Sequence, residues 1–253
     1  MYKIKSRQKR RISVLVKVCF LNSFFRIDKV VIDRLREEMI KLAESDSQLE
    51  FWFFGSHDEF TKKAIQFIGE LRSALSKSQI DIIVVQDPIK LERYAEDKSN
   101  LDSSGIPKGI ISRYVMAPRI EGKVELRENR FVEHCRKVER WMMEQCDIVY
   151  AYHYDNVPHP ANTEIKRLRK KNKPKVISIY DPEFRDKIDL FIAGMEDRDG
   201  YVLQSLKAGK TYREIGEELG ITINRAQQIA NRATRKIMNY IRYDYIKKRD
   251  SSQ

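Results

Sequence analysis

The sequence of 253 residues has only three cysteines, four histidines and no long hydrophobic run. Cys19, Cys135 and Cys146 follow neither a metal-binding nor a disulfide spacing, which predicts free thiols in a reducing cytoplasm. The histidines also lack metal-ligand spacing, so we expect no metal site. Since Lys17 interrupts the apolar stretch 12–25, and a membrane span needs about 18 uninterrupted apolar residues, we expect neither a signal peptide nor a membrane partner.

The charge of the chain is strongly basic and unevenly distributed. Its 49 Lys and Arg against 37 Asp and Glu give a net charge of +12. Residues 1–11 hold six cations and residues 166–175 hold seven, and neither segment contains an acid. This distribution favours an anionic partner, nucleic acid before a membrane. The second run has two interpretations, a solvated helix face or a surface that follows phosphates.

Short apolar runs alternate with segments of helical periodicity from residue 12 to about residue 180. The runs predict strands at 12–18, 51–54, 80–85, 147–152 and 175–179. The periodic segments predict helices at 31–42, 60–75, 131–142 and 161–172. This alternation is typical of a mostly parallel sheet with helices on both faces, a Rossmann-like α/β domain. Residues 86–128 are polar and predict a long excursion with some short structure.

Four segments follow from this pattern. We expect a basic N-terminal arm at 1–11, an α/β ligand-binding domain at 12–182, a linker at 183–195 and a small all-α helix-turn-helix domain at 196–248. Pro182 and the charged run after it mark the exit from the α/β domain.

The C-terminal segment has the pattern of two short helices joined by a glycine turn. Thr211 and Glu214 form a Thr-x-x-Glu capping box, which starts the first helix. Gly216 permits close approach of the second helix, and Gly220 can adopt the left-handed conformation that ends the first. Thr222 can cap the second helix, whose expected buried residues are Ala226, Ile229, Ala233 and Ile237. A basic second helix in this arrangement predicts a DNA-reading helix-turn-helix.

Three motifs carry a family resemblance, namely Glu214-Ile-Gly-Glu-Glu-Leu-Gly220, Gln228-Ile229 and Arg232-Ala-x-Arg-Lys236. With them, residues 211–237 resemble region 4 of sigma-70 family transcription factors, and 199–206 looks like the supporting helix of that region. The resemblance implies double-stranded DNA as the partner. It assigns base reading to Ile223, Asn224, Arg225, Gln227 and Gln228. The family often has Arg-Glu-Arg-x-Arg-Gln where this chain has Ile-Asn-Arg-Ala-Gln-Gln, so we expect an altered target sequence.

Other residues of the helix-turn-helix are expected to contact the DNA backbone. Lys210, Arg232, Arg235 and Lys236 are the predicted phosphate contacts, and Thr211 and Thr222 lie at the helix starts. The alternative interpretation is a helical hairpin for homodimerisation or for docking on another protein. The remaining segment to Lys248 is expected to pack or to form a dimer contact.

Two loops of the α/β domain are candidate ligand contacts. Residues 55–60 follow the second predicted strand, and residues 155–164 follow the strand at 147–152. Loops at the carboxyl ends of parallel strands form the binding crevice of such sheets, and a helix N-terminus attracts phosphate or carboxylate. The alternative for the first loop is structural, because Ser56 and Glu59 fit a capping box and Asp58 favours the helix dipole.

These loops are part of a second resemblance, carried by Gly55-Ser56-x-x-x-Phe60, Arg140-Trp-Met-Met-x-x-Cys-Asp147 and Pro158-x-x-x-Asn162-Thr163. On these motifs, residues 12–180 resemble the YpsA-like branch of the SLOG superfamily, which implies a nucleotide-derived ligand. The implied ligand contacts are Gly55, Ser56, His57, Asp58, Arg140, Asp155, Asn162, Thr163 and Glu164. Some related proteins cleave nucleoside monophosphates with a glycine-rich loop and a glutamate. Here His159, Pro160 and Asn162 occupy the glycine positions. Ile165 occupies the glutamate position, so we expect binding without catalysis.

The two resemblances together predict a cytoplasmic, ligand-responsive transcription regulator. Two alternatives remain. One is a nucleotide-processing enzyme that cleaves an N-glycosidic bond, with the helix-turn-helix as a DNA-targeting module. The other is a sigma-like adaptor that docks on RNA polymerase without reading DNA.

Overall fold

The computed structural model describes residues 14–22, 27–45, 48–55, 58–74, 80–88, 106, 108–118, 128–155, 157, 160–195 and 198–245. Its strands are β1 (Leu15–Asn22), β2 (Gln48–Phe54), β3 (Ile80–Gln86), β4 (Arg113–Met116), β5 (Ile148–Tyr152) and β6 (Lys175–Ile179). They form one sheet in the order β4-β3-β2-β1-β5-β6, and all five strand pairs are parallel.

The described α-helices are α1 (Lys29–Ala43), α2 (Glu59–Ala74), α3 (Glu128–Gln145), α4 (Pro160–Arg169), α5 (Pro182–Ala193), α6 (Arg198–Lys207), α7 (Tyr212–Leu219) and α8 (Ile223–Asn239). Short 3-10 and π-helical segments cover Lys108–Ile110 and Tyr240–Tyr245.

Helices cover both faces of the sheet. Buried residues of α1, α2 and α5, such as Leu35, Phe60 and Phe184, form one core with one face of the strands. Buried residues of α3 and α4, such as Met142 and Ile165, form a second core with the opposite face. Strands that are buried on both faces need apolar residues throughout, which the sequence provides. The predicted Rossmann-like α/β fold is confirmed.

Two segments differ from the sequence-based expectation. The predicted excursion at 86–128 contains β4, an edge strand that pairs with β3 and leaves Tyr114 and Met116 about half exposed. Its four residues, Arg-Tyr-Val-Met, are mostly exposed and too few to show the apolar pattern of a buried strand.

The predicted linker at 183–195 is mostly helix α5, which is a correction to the expected boundary. Asp181 caps this helix through a hydrogen bond from the Glu183 amide. Phe184, Ile188 and Ile192 recur every four residues and are buried in the core, so this segment is part of the folded body. The predicted basic arm at 1–11 lies outside the described residues.

The local signals of the helix-turn-helix are present as predicted. The Thr211 hydroxyl and the Glu214 carboxylate make both bonds of the capping box at the start of α7. Gly220 ends α7 with a φ of 62°, in the left-handed region that favours glycine. Thr222 caps α8 by accepting a hydrogen bond from the Arg225 amide. These elements build a small core from Val202, Ile215, Ala226, Ile229 and Ala230.

Helix α8 belongs to two hydrophobic cores. Its N-terminal half packs in the small core of α6 and α7. Its C-terminal half contributes Ala233 and Ile237 to the main core, which α8 joins beside α5. The chain then continues to Ile241, which is also buried there, and the Tyr240 ring stacks on Phe191 of α5 at 4.2 Å between centroids. The helix-turn-helix is therefore fixed to the α/β domain through its second helix.

The close approach at Gly216 gives a stability prediction. A Cβ at this position would lie 2.8 Å from the Ile221 carbonyl oxygen, which belongs to the turn backbone. We expect Gly216→Ala to lower the free energy of unfolding by about 1–3 kcal/mol. Gly69→Ala in α2 is the matched control, because a Cβ there meets nothing within 4 Å. It should raise stability by about 0.5–1 kcal/mol. Chemical denaturation measures both changes, and equal effects of the two substitutions would contradict this packing.

Candidate functional site

A cleft opens where the strand order of the sheet reverses. The chain adds β2, β3 and β4 on one side of β1, and β5 and β6 on the other. At the carboxyl ends of β1 and β5, the structure has a cleft with a volume of about 910 Å³. Leu21 and Asn22 from β1 line it, together with residues of α3, of the loop after β5 and of α4. Ligands of open α/β sheets bind at this topological position.

Five of the nine predicted ligand residues line this cleft, namely Arg140, Asp155, Asn162, Thr163 and Glu164. Thr163 is exposed on the first turn of α4, and Asn162 is buried. The Asn162 side-chain amide donates to the carbonyl oxygens of Tyr154 (2.8 Å) and Val157 (2.5 Å). Its Oδ1 is buried without a hydrogen-bond partner among the described residues. Asn162 therefore fixes the loop after β5 and places the N-terminus of α4 at the cleft.

Arg140 and Glu164 form a bidentate ion pair between α3 and α4. Arg167 also donates to the Glu164 carboxylate, at 2.8 Å. Burial raises the pKa of Glu164, but hydrogen bonds from Arg140 and Arg167 outweigh it and lower the pKa overall. Glu164 is thus an ionised residue of the cleft wall.

Asp155 and His153 follow β5 directly. The exposed Asp155 carboxylate lies 3.3 Å from the Arg169 guanidinium, and the His153 Nε2 lies 2.9 Å from the Ser178 hydroxyl. Burial lowers the pKa of His153 to about 4. This histidine is therefore neutral at physiological pH and supports the loop.

Gly55 and Asp58 do not line the cleft, unlike the residues of the loop after β5. Gly55 has a φ of 78°, a conformation that favours glycine, whereas Ser56 and His57 lie outside the described residues. The Asp58 carboxylate accepts a hydrogen bond from the Thr61 amide at 2.8 Å and so caps α2. Asp58 lines a small cavity of about 60 Å³, which shares Asn22 and Glu139 with the cleft.

Glu139 is a cleft residue that the sequence did not single out. It lies on α3, and no described residue forms a hydrogen bond or ion pair with its carboxylate. Burial raises the pKa of Glu139, and the charges of Asp58 and Glu164 raise it further against Arg136. The sequence contained a signal for Glu139, because this residue follows Cys135 by four residues and precedes Met142 by three. That spacing places Glu139 at the edge of the apolar face of α3.

The basic run at 166–175 is mostly engaged in ion pairs. Arg167 and Lys171 bind Glu144 of α3, Lys173 binds Asp147, and Arg169 binds Asp155. These contacts hold α4 and the following loop against α3 and the residues that flank β5. Lys166 differs, because it lines the cleft without a hydrogen bond or ion pair to any described residue.

The residues predicted to read bases are exposed at the start of α8. Ile223, Asn224, Arg225, Gln227 and Gln228 all lie at the surface, where Arg225 donates to the Gln228 amide oxygen at 3.1 Å. Helix α8 has four cations and no acid. We define its basic face as Arg225, Gln228, Arg232, Arg235 and Lys236, which line a shallow groove of about 530 Å³.

Three of the predicted phosphate contacts have acidic partners. Arg232 and Lys236 both bind Asp199 at the start of α6, at 2.5 and 2.6 Å, and Lys210 binds Glu218 at 2.6 Å. Burial raises the pKa of Asp199, but hydrogen bonds from Arg232 and Lys236 outweigh it and lower the pKa overall. About half of the Arg232 and Lys236 side chains stays exposed, so both cations remain accessible on the basic face.

Comparison with known proteins gives no indication of the function of this chain. No protein-family model matches the chain, and no curated protein matches it. Within the part of the chain that the structure describes, no group of three or more His, Cys, Asp or Glu side chains could hold a metal ion. No helix in the described segments is long and apolar enough to cross a membrane.

Glu139 gives a pH-dependent prediction. Because folding raises its pKa, the unfolded chain releases this proton first as the pH rises, and stability falls between the two pKa values. Below the unfolded-state pKa the group is protonated in both states, whereas above the folded-state pKa the folded protein carries the full cost of the desolvated charge. We expect Glu139→Gln to raise the Tm at about pH 8 and to change it little at about pH 4.

Glu133→Gln on the same helix is the control, because the Glu133 side chain is 67% exposed. It should change the Tm little at either pH. An equal gain from Glu139→Gln at both pH values would show that the Glu139 carboxylate carries no burial cost.

Proposed function

We propose that the protein is a DNA-binding transcription regulator whose α/β domain senses a nucleotide-derived ligand. The observation that carries this proposal is the exposed start of α8 together with the basic face, on a second helix that itself contains no acid. The thiols of Cys19, Cys135 and Cys146 are buried or half-buried and are not joined in disulfides, in keeping with a cytoplasmic location.

The DNA half of the proposal follows from side-chain chemistry. In helix-turn-helix proteins the N-terminal residues of the second helix contact base edges in the major groove. The amides of Asn224, Gln227 and Gln228 can pair with adenine, and Arg225 can pair with guanine. The Arg235 guanidinium has no acidic partner among the described residues and is available for a phosphate. Arg232 and Lys236 can reach phosphates through their exposed halves.

The ligand half of the proposal rests on the cleft at the reversal of the strand order. The first turn of α4 supplies backbone amides there, which favour an anionic group. The resemblance to the YpsA-like branch of the SLOG superfamily supports a nucleotide-derived molecule as the ligand. The engaged Glu164 and the substituted glycine loop support binding over cleavage.

DNA binding can be tested by fluorescence anisotropy on a duplex selected by the protein from genomic fragments. We expect the double variant Arg225→Ala with Gln228→Ala to bind this duplex about 10- to 100-fold more weakly, while affinity for unrelated duplex changes less. Lys62→Ala is the control, because Lys62 is exposed on α2 of the α/β domain. It should leave both affinities unchanged.

The salt dependence of the wild-type protein tests the phosphate contacts. If about four phosphates are contacted, affinity should fall by roughly 10² between about 50 and 200 mM salt. Absence of DNA binding, or binding that ignores salt, would contradict the proposal. Retention of RNA polymerase by a protein that binds no DNA would favour the adaptor function instead.

A further inference from the structure

We infer that the helix-turn-helix domain forms one wall of the ligand site, so that a ligand in the cleft contacts the DNA-reading helix directly. Leu203 and Leu206 of α6, Tyr212 of α7, and Asn231 and Thr234 of α8 all line the cleft. The site is thus completed by residues that the α/β domain does not contain. We call this site, which both domains line, the composite site. An effect of its ligand on DNA binding rests on the proposed function, whereas the composite site itself does not.

The wall residues define the class of ligand. Arg136 and Lys166 line the cleft, and neither forms an ion pair with a described residue, although the charge of Arg136 acts on the nearby Glu139. Together with the first turn of α4 they attract an anionic group. Leu206 and Tyr212 provide apolar and aromatic surface from the helical side. A volume of about 910 Å³ is within the usual range for small-ligand sites. This combination fits an anionic molecule that carries a planar ring, such as a nucleoside monophosphate.

Helix α8 connects this site with the basic face. Asn231 lines the cleft, and it lies one helical turn from both Gln228 and Arg235 of the basic face. A ligand that contacts Asn231 therefore contacts the helix that is proposed to bind DNA. Because an anionic ligand would lie close to cations that face phosphates, we expect it to weaken DNA binding by roughly three- to tenfold. Linkage then requires DNA to weaken ligand binding by the same factor.

The composite site is tested by the binding of mant-AMP, a fluorescent nucleoside monophosphate, to the full chain. Asn231→Trp places a large ring in the cleft from α8, at an exposed position. We expect it to weaken mant-AMP binding at least tenfold. Gln204→Trp is the matched control, because Gln204 is an exposed amide on α6 that does not line the cleft. It should change the affinity less than twofold, and circular dichroism checks that both variants fold.

Thr163→Trp tests the wall of the cleft that the α/β domain provides. Thr163 is an exposed residue of that wall. Loss of binding in both Thr163→Trp and Asn231→Trp supports the composite site. Loss in Thr163→Trp with unchanged binding in Asn231→Trp overturns it, because the ligand then contacts the α/β domain alone. No saturable binding of mant-AMP at millimolar concentration overturns the assigned ligand class.

The coupling is measured by titrating DNA with and without saturating AMP, and mant-AMP with and without DNA. Equal reductions in the two affinities support the coupling, and a change of less than twofold in both overturns it. If the protein binds no DNA, the proposed function fails. The mant-AMP measurements on Asn231→Trp and Gln204→Trp still decide whether the helical domain forms part of the site.

Discussion

The burial of α8 in two cores is the constraint on which the rest of the structure depends. Its first half packs with α6 and α7, and its second half adds Ala233 and Ile237 to the main core beside α5. A helix shared in this way cannot reorient without disturbing apolar contacts on both sides. The exposed side of the same helix carries the basic face. The orientation of the proposed DNA-reading surface is therefore fixed by the hydrophobic packing of the α/β domain.

The cleft depends on the same arrangement. Parallel pairing places the loops after β1 and β5 side by side, and the reversal of the strand order leaves space between them. Ion pairs from α4 to Glu144 and Arg140 of α3 hold one wall, while α6, α7 and α8 provide another. Since α8 takes part in the cleft, in both cores and in the basic face, it is the physical link between a ligand and DNA in the proposed function.

Local signals in the sequence predicted much of this architecture. The capping box of Thr211, the turn at Gly220 and the apolar periodicity of the helices depend on neighbouring residues alone, and each is present. The cleft residues after β5 followed from the rule that loops gather at the carboxyl ends of parallel strands. The edge strand β4 and helix α5 were missed, since no residue of β4 is buried and α5 begins at a proline that precedes a charged run.

The roles of Asp199 and Glu139 depend on contacts between distant segments, which spacing along the chain does not record. The partners of Arg232 and Lys236 were hidden for the same reason.

The central claim is that the first turns of α8 read DNA while α8 stays packed on the α/β domain. A crystal structure of the full chain with a selected duplex tests it most directly. The account predicts Asn224, Arg225 and Gln228 at base edges in the major groove with α8 packed as described. A duplex bound elsewhere, with these side chains free in solvent, would contradict it.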